Sequence, residues 1–488
     1  MTFTRILLGT AAALMSVGTA QAADLPSRKS APVEYVKVCN AYGAGFFYIP
    51  GTDTCLKIGG NVTAETRVIG PLQRAVSSSF ATRAPGLPSA TSIRKVNARD
   101  TFGSSALGRV ELDARTQTAW GTLRSFVRID SVYATGLAAT GTLNTGSTTA
   151  TPVSSKEVTY INKAFIQFAG ITAGRAQSMF DLYADAYNYE GIRGSNATTN
   201  LLAYTATFGG GFSATLSLED EVARRTTYAT TRLTPNAAVS GGTRIPDVVA
   251  ALRVDQAWGT AQLSAAMHRS SSLDNDGANT VFSADNNTGY AVQAGVKINL
   301  PMLAAGDALY LQAAYSKGAY SYIGGSNLTE SQGFNNERAQ GNGSAGLNSN
   351  PLYGQGANDC IFTAAGKCEQ GKGFAIVAAL KHYWTPSVSQ SFYVSYMQWN
   401  YSAAARAGTF NNVATVIGFS SQKELRLGSV VTWTPVKGFD IGLEGQYMTA
   451  KLTRPGGLAN DAALVAAGFP AFKGANQFEG RLRFSRSF

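Results

Sequence analysis

The side chains best suited to nucleophilic attack, proton transfer or soft-metal binding are few in this chain. There are two histidines, His268 and His382, and four cysteines, Cys39, Cys55, Cys360 and Cys368. Neither histidine stands in a His-Glu-x-x-His pair, and no serine occupies a Gly-x-Ser-x-Gly elbow. The cysteine spacings do not match a zinc motif, and two histidines are too few to complete one. The sequence therefore predicts no catalytic residue, no metal and no cofactor. A hydrolase built on the same scaffold is kept as an alternative, because triad members need not be adjacent in sequence. What the chain has in quantity is fixed charge, 41 Lys and Arg against 30 Asp and Glu. The chemistry on offer is electrostatic, and it depends on the elements that hold those charges.

The charges recur at every second position. Arg109, Glu111, Asp113 and Arg115 alternate with Val110, Leu112 and Ala114. Arg124, Phe126, Arg128 and Asp130 alternate with Ser125, Val127 and Ile129, and Asp440 and Glu444 alternate with Phe439, Ile441 and Leu443. Near the end, Glu479, Arg481, Arg483, Ser485 and Ser487 alternate with Phe478, Gly480, Leu482, Phe484, Arg486 and Phe488. Period two is the signature of a β-strand. One face of each strand asks for water and the other for an apolar medium, yet no amphipathic helices are available to cover the apolar face. A closed barrel with lipid outside and water inside satisfies both. With Lys57 to Glu65 and Tyr290 to Asn299 reading the same way, the fold class is all-β: a transmembrane antiparallel barrel of about sixteen strands. A mean hydropathy of −0.04 fits a wall whose apolar half is diluted by lumen-facing residues. His268 points into the lumen if Met267 faces lipid.

Connections alternate between short and long. Short turns are expected at Trp120-Gly121, Ala169-Gly170, Gly209 to Gly211, Trp258-Gly259, Pro301 to Ala305, Pro386 to Ser389 and Pro435 to Gly438. Long connections are expected at 69–100, 176–200, 317–372 and 451–475. Trp120, Trp258, Trp384 and Trp433 all fall where a strand enters a short turn, which predicts an aromatic girdle at the periplasmic interface.

Residues 1–22 read as a secretory signal: Arg5, an apolar run from Ile6 to Ala20, and Ala20-Gln21-Ala22 as the cleavage site, with Ala23 as the mature start. An exported chain enters an oxidising compartment, so disulfides are expected. Four cysteines allow three connectivities, of which local pairing, Cys39 with Cys55 and Cys360 with Cys368, is the simplest. The formal charge of +11 falls to +10 when Arg5 leaves with the signal (11 − 1). Lys and Arg are spread along strands rather than clustered with aromatics, so no nucleic-acid partner is expected.

Tyr35 to Gly60, with its two cysteines and the run Asn-Ala-Tyr-Gly-Ala-Gly-Phe-Phe-Tyr-Ile-Pro-Gly, closely resembles the entry segment of alphaproteobacterial porins of the Brucella and rhizobial type. Gly174-Arg175, followed by a carboxylate-bearing loop, resembles the porin strand that feeds a third loop folded inside the barrel. The aromatic end at Phe488 resembles the assembly signal of outer-membrane barrels. The resemblance implies Arg109, Arg128 and Arg175 as a basic wall and Asp181, Asp185 and Glu190 as an acidic loop across the pore. Opposed charges would set a transverse field in a narrow water path.

The expected organisation is a signal at 1–22, a periplasmic segment at 23–53 and a barrel at 54–488, with a constriction loop at 176–200 and a long extracellular loop at 317–372. The expected function is passive diffusion of small hydrophilic solutes and ions through a multi-pass barrel of a Gram-negative outer membrane. The alternatives are a solute-specific channel, such as one for sugars, and a barrel that only anchors an envelope protein. The resemblance also implies a homotrimer, contact with outer-membrane lipids and lipopolysaccharide, and delivery by the barrel-assembly machinery. Ala23-Asp24 resembles the start of porins of this group that are joined to peptidoglycan, which implies a tether through Ala23; a plain periplasmic leader with Arg28 and Lys29 is the alternative.

Overall fold

The computed structural model describes residues 37–69, 102–136, 155–224, 226, 245–270, 287–324, 359–362, 368–406, 421–453 and 474–488, and short strand pieces at 73–76, 92–95, 229–230, 239–240, 272–275 and 281–283. The expected signal at 1–22 and Ala23 lie outside the described residues, as do 325–358 and 363–367 of the expected long loop. A 17-stranded sheet includes the two-residue strand Phe47–Tyr48; the remaining sixteen strands form one closed antiparallel barrel.

In chain order the barrel strands are β1 (Cys55–Ile69), β2 (Phe102–Thr118), β3 (Gly121–Gly136), β4 (Ser155–Phe168), β5 (Ile171–Gln177), β6 (Thr198–Gly209), β7 (Phe212–Glu219) and β8 (Asp247–Gln256). They continue as β9 (Gly259–Ser270), β10 (Asn287–Asn299), β11 (Ala308–Lys317), β12 (Lys372–Thr385), β13 (Val388–Asn400), β14 (Gln422–Val436), β15 (Phe439–Leu452) and β16 (Gly474–Ser487). Each strand pairs with its sequence neighbours, and β16 closes on β1 through register pairs from Asn61↔Ser487 to Ile69↔Glu479. Closure removes the two sheet edges whose unpaired amides lipid could not satisfy.

The alternation works as the sequence predicts. Val62, Val110, Leu252, Leu443, Leu482 and Phe484 stand exposed on the outside, while Glu65, Arg67, Asp130, Glu444, Glu479 and Arg481 are buried within. One register shift, between Arg128 and Ile129 on β3 opposite β4, moves the lumenal set of β4 by one residue.

All the expected short turns form at one end. Ala169 and Gly170 both take positive φ (48° and 84°), the twist of a two-residue type I′ hairpin. Gly209, Gly210 and Gly211 take three successive positive φ values (83°, 58° and 80°), a path that side chains resist. Trp120, Trp258, Trp384 and Trp433 are all exposed at this end. The strands that flank 70–101 and 318–371 end at the other mouth.

Cys39 bonds to Cys55 and Cys360 to Cys368. The first bridge pins a folded segment at the short-turn mouth: Cys39, Phe46 and Cys55 are buried together against Tyr42 and Tyr48. The Arg115 guanidinium lies 5.0 Å from the centre of the Phe46 ring. Replacing Cys39 and Cys55 with serine is expected to cost about 3 kcal/mol, the loop-closure entropy of a bridge of this span. Thermal unfolding of the oxidised and variant proteins, with protease access to residues 37–54, measures it; identical midpoints would show that the bridge adds nothing.

Candidate pore constriction

β5 is only seven residues long. Past Gln177 the chain leaves the wall, crosses the lumen and returns to β6 at Thr198. What draws Ser178–Ala197 inward is a sequence of lumenal partners. Ser178 Oγ and the Met179 amide donate to the Glu219 carboxylate of β7 at 2.7 and 2.9 Å. Phe180 is fully buried with Val249, Ala266 and Ala291 of β8, β9 and β10, and it meets the Tyr322 ring edge-on at 4.8 Å. Gln262 and Gln293 side-chain amides donate to the Phe180 carbonyl. The Tyr183 amide donates to Gln312 of β11 at 3.1 Å.

Further along, Arg193 makes a two-pronged pair with Glu424 of β14 at 2.8 and 2.6 Å, and its amide donates to Ser395 Oγ of β13. Arg426 donates to the Gly191 carbonyl at 2.6 Å. The amides of Tyr189 and Glu190 both donate to the Glu444 carboxylate of β15, at 2.8 and 3.0 Å. The loop is thus laid along the lumenal face from β7 to β16.

The densest anchor lies at the barrel seam. Register sets Arg67 of β1 beside Arg481 of β16, and Arg481 beside Glu444 of β15. Glu190 from the loop reaches both arginines, Arg67 at 2.7 Å and Arg481. Arg481 also pairs with Glu65 at 3.2 Å and Glu479 at 3.0 Å, and donates to the Tyr189 carbonyl at 3.0 Å. All of these side chains are buried, so each charge depends on the others for its compensation. Gly442 leaves the room that Tyr189 occupies, since a Cβ there would meet its hydroxyl.

Placing the predicted residues gives a mixed picture. Asp181, Asp185 and Glu190 all sit in the inserted loop, but each is engaged by near neighbours. Asp181 accepts from Ser195 Oγ, the Ala197 amide at 2.7 Å, Gln177 at 2.6 Å and Arg224 at 3.2 Å. Asp185 closes a tight turn with φ of 57°, accepting from Asn188 at 2.8 Å, Asn196 at 2.9 Å and the Ile192 amide at 3.2 Å. Desolvation by the surrounding protein raises its carboxyl above the ordinary aspartate range, against the lowering effect of those hydrogen bonds. Glu190 belongs to the seam cluster.

Arg109 and Arg128 do stand together on the lumenal face. Arg109 grips Asp130 with two bonds of 2.6 and 2.7 Å, and Arg128 pairs with Glu111 at 2.7 Å. Arg175 stands apart from them. Its register with Ala164 and Asn200 puts it in the outward set with Ile171, and its guanidinium donates to the carbonyls of Ile161 and Thr198 at 3.2 Å.

Sequence reasoning missed Lys163, which the β3–β4 register shift brings beside Arg128. It lies within electrostatic reach of Arg109, Arg128 and Asp181 and has no ion-pair partner among the described residues. Also missed were Arg115 and Arg124, which share Asp113 at 2.8 and 3.0 Å, and the seam cluster. A usable signal was present: Glu65-x-Arg67, Asp113-x-Arg115, Glu424-x-Arg426 and Glu479-x-Arg481 each place opposite charges two residues apart, on one face of a strand. Glu424, Arg426 and Arg481 touch the loop directly, and Glu479 braces Arg67 and Arg481, which grip Glu190.

His268 points inward, buried between Asp247 at 2.8 Å and Asp359 at 3.4 Å, with the Tyr322 hydroxyl donating to Asp247. His382 pairs with Asp307 at 2.6 Å. Among the described residues neither has a hydroxyl or thiol nucleophile within hydrogen-bond distance. No group of metal-ligating side chains suited to an ion occurs among them either.

A closed barrel of sixteen strands with an inserted third loop is a porin architecture, and the sequence agrees: the family described as the porin subfamily matches residues 24–467. The chain belongs to the porin subfamily. Porin Omp2b of Brucella suis biovar 1 is 30% identical to this porin over 265 residues, 53% of this chain and 64% of that relative. Porin Omp2b of Brucella melitensis biotype 1 is 29% identical over the same length. The match therefore spans a little under two thirds of these curated relatives. Among solved structures, the outer membrane channel DcaP of Acinetobacter baumannii superposes with a TM-score of 0.55 at 14% identity, covering 90% of this porin and 99% of that chain. That likeness establishes the shared fold. This porin is an outer-membrane barrel.

Proposed function

We propose that this porin is a water-filled channel for passive diffusion of small hydrophilic solutes and ions. The observation that carries the reading is the loop 178–197, held inside the closed barrel against the β7–β16 side. On the other side, β2–β4 present Arg109, Arg115, Arg124, Arg128 and Lys163. A plug would need no such one-sided seat, and a membrane anchor would need no charged interior.

The same geometry refines the charge reading. Asp181 and Glu190 are paired with arginines of their own, and Asp185 is buried among neutral donors within the loop, so the field across the pore comes mainly from the wall. On β2–β4 the five cations named above face three acids, Glu111, Asp113 and Asp130. We propose a preference for anions on that surplus. Asp181 completes the constriction as the loop group within reach of Lys163.

We further propose that the short-turn end faces the periplasm, with the four exposed tryptophans at its interface. The porin family favours a homotrimer in contact with outer-membrane lipids and lipopolysaccharide, assembled through recognition of the Phe488 strand. A peptidoglycan link through Ala23 belongs to the same proposal. No catalytic role is assigned.

Purified protein in planar bilayers tests the channel. Stable conductance in steps of three, blocked by sugars only as their size grows, is the expected result. Saturable block by one sugar class would replace general diffusion with a specific channel, and silence would remove the channel altogether.

A further inference from the structure

On the short-turn side of the inserted loop, two lysines border a group of tyrosines that neither the loop's anchoring nor free diffusion requires. Lys297 of β10 is in direct register with Tyr310 of β11, and its Nζ lies 5.7 Å from the ring centre. Lys381 of β12 has its Nζ 5.9 Å from the Tyr187 ring of the loop and 5.1 Å from the Tyr383 ring. Tyr187 and Tyr310 meet edge to face, with ring centres 5.2 Å apart and planes at 78°.

Both lysines are half-buried, and neither has a carboxylate partner among the described residues. The acids on nearby strands are engaged elsewhere: Asp307 by His382 and the Tyr383 amide, Asp255 by Arg253 and Thr260. The result is an aromatic floor flanked by two uncompensated ammonium groups.

Each half of this arrangement selects something different. Ammonium groups without counter-charges, withdrawn from bulk water, favour an anion. Perpendicular tyrosines present ring faces and edges to a flat apolar body. An inorganic anion uses only the first half, and a sugar only the second. We propose that this cradle binds small aromatic carboxylates, the ring against Tyr187 and Tyr310 and the carboxylate reached by Lys297 and Lys381. The proposal rests on the channel reading for its access but not for its chemistry.

The test is calorimetric titration of the detergent-solubilised full chain with 4-hydroxybenzoate, with 4-hydroxybenzyl alcohol (same ring, no charge) and with acetate (same charge, no ring). The expected result is saturable binding of 4-hydroxybenzoate, at least about tenfold tighter than either control. K297Q/K381Q should lose about tenfold, and K297R/K381R should retain binding. Heat-modifiable gel migration establishes that both variants are folded barrels. Equal affinity for acetate or the alcohol, or undiminished binding by the glutamine variant, would overturn the site. Bilayer conductance on the same preparation separates the two readings. Conductance without benzoate binding sinks the cradle alone; binding without conductance sinks the channel and leaves the cradle standing.

Discussion

Replacing Arg481 with methionine is expected to unseat the inserted loop and destabilise the barrel together. The substitution keeps an apolar stem of similar length but removes the charge that Glu65, Glu190, Glu444 and Glu479 share. Arg67 remains, paired with Glu190 and Glu479, and Arg483 with Glu65, but four buried carboxylates then face two guanidinium groups. Removing one member of a buried ionic network costs about 3–5 kcal/mol, because its partners stay desolvated without compensation. The Tyr189 carbonyl loses its donor at the same time. Two readouts follow: a lower temperature for the folded-to-unfolded shift on gels, and larger, noisier single-channel steps with passage of larger sugars. Lysine at 481 is expected to restore charge without the forked geometry, so rescue should be partial. Unchanged melting and unchanged steps in R481M would show that the loop is held elsewhere.

Neutralising the opposite wall should leave the fold alone and change which ions pass. Arg128 and Glu111 are both partly exposed, so their pair contributes little to stability. Lys163 has no ion pair to lose among the described residues. A unit charge about 6 Å from a passing ion is worth about 0.7 kcal/mol in water, a factor of about three in local concentration. R128Q/K163Q should therefore lower the chloride-to-potassium permeability ratio several-fold, read as a shift of reversal potential in a salt gradient. The shift should shrink at high ionic strength. A reversal potential equal to that of the parent protein would remove the wall from selectivity.

How much of this was legible beforehand divides along a physical line. Strand alternation, turn residues and the tryptophan positions are local, and the barrel follows from them because lipid admits no open edge. Arg109 and Arg128 could be placed inward by counting in twos. The fate of the loop acids could not. Asp181 meets Arg224 43 residues away, Arg193 meets Glu424 231 away, and Glu190 meets Arg481 291 away. Arg224 is reached through the neighbouring hairpin, Glu424 only when the sheet curls across the lumen, and Arg481 only when it closes. Lys163 was hidden by a register shift of one residue, and Arg175 was assigned inward by motif although its register puts it in the outward set. The acid-x-Arg spacing shows which strands carry buried pairs, but not which loop they will grip.

The position of the Arg481 cluster also sets an order of events. β16 is the final strand in sequence, and it supplies Glu479 and Arg481, while β1, the first, supplies Glu65 and Arg67. Until these two strands zip together, the socket for Glu190 does not exist. The anchors on β7 to β15 do not need that pairing, so a barrel with an open seam still carries its loop but leaves the Glu190 end unsecured. Closing the wall and locking the end of its filter are thus coupled, so a barrel whose seam opens also loosens its own constriction.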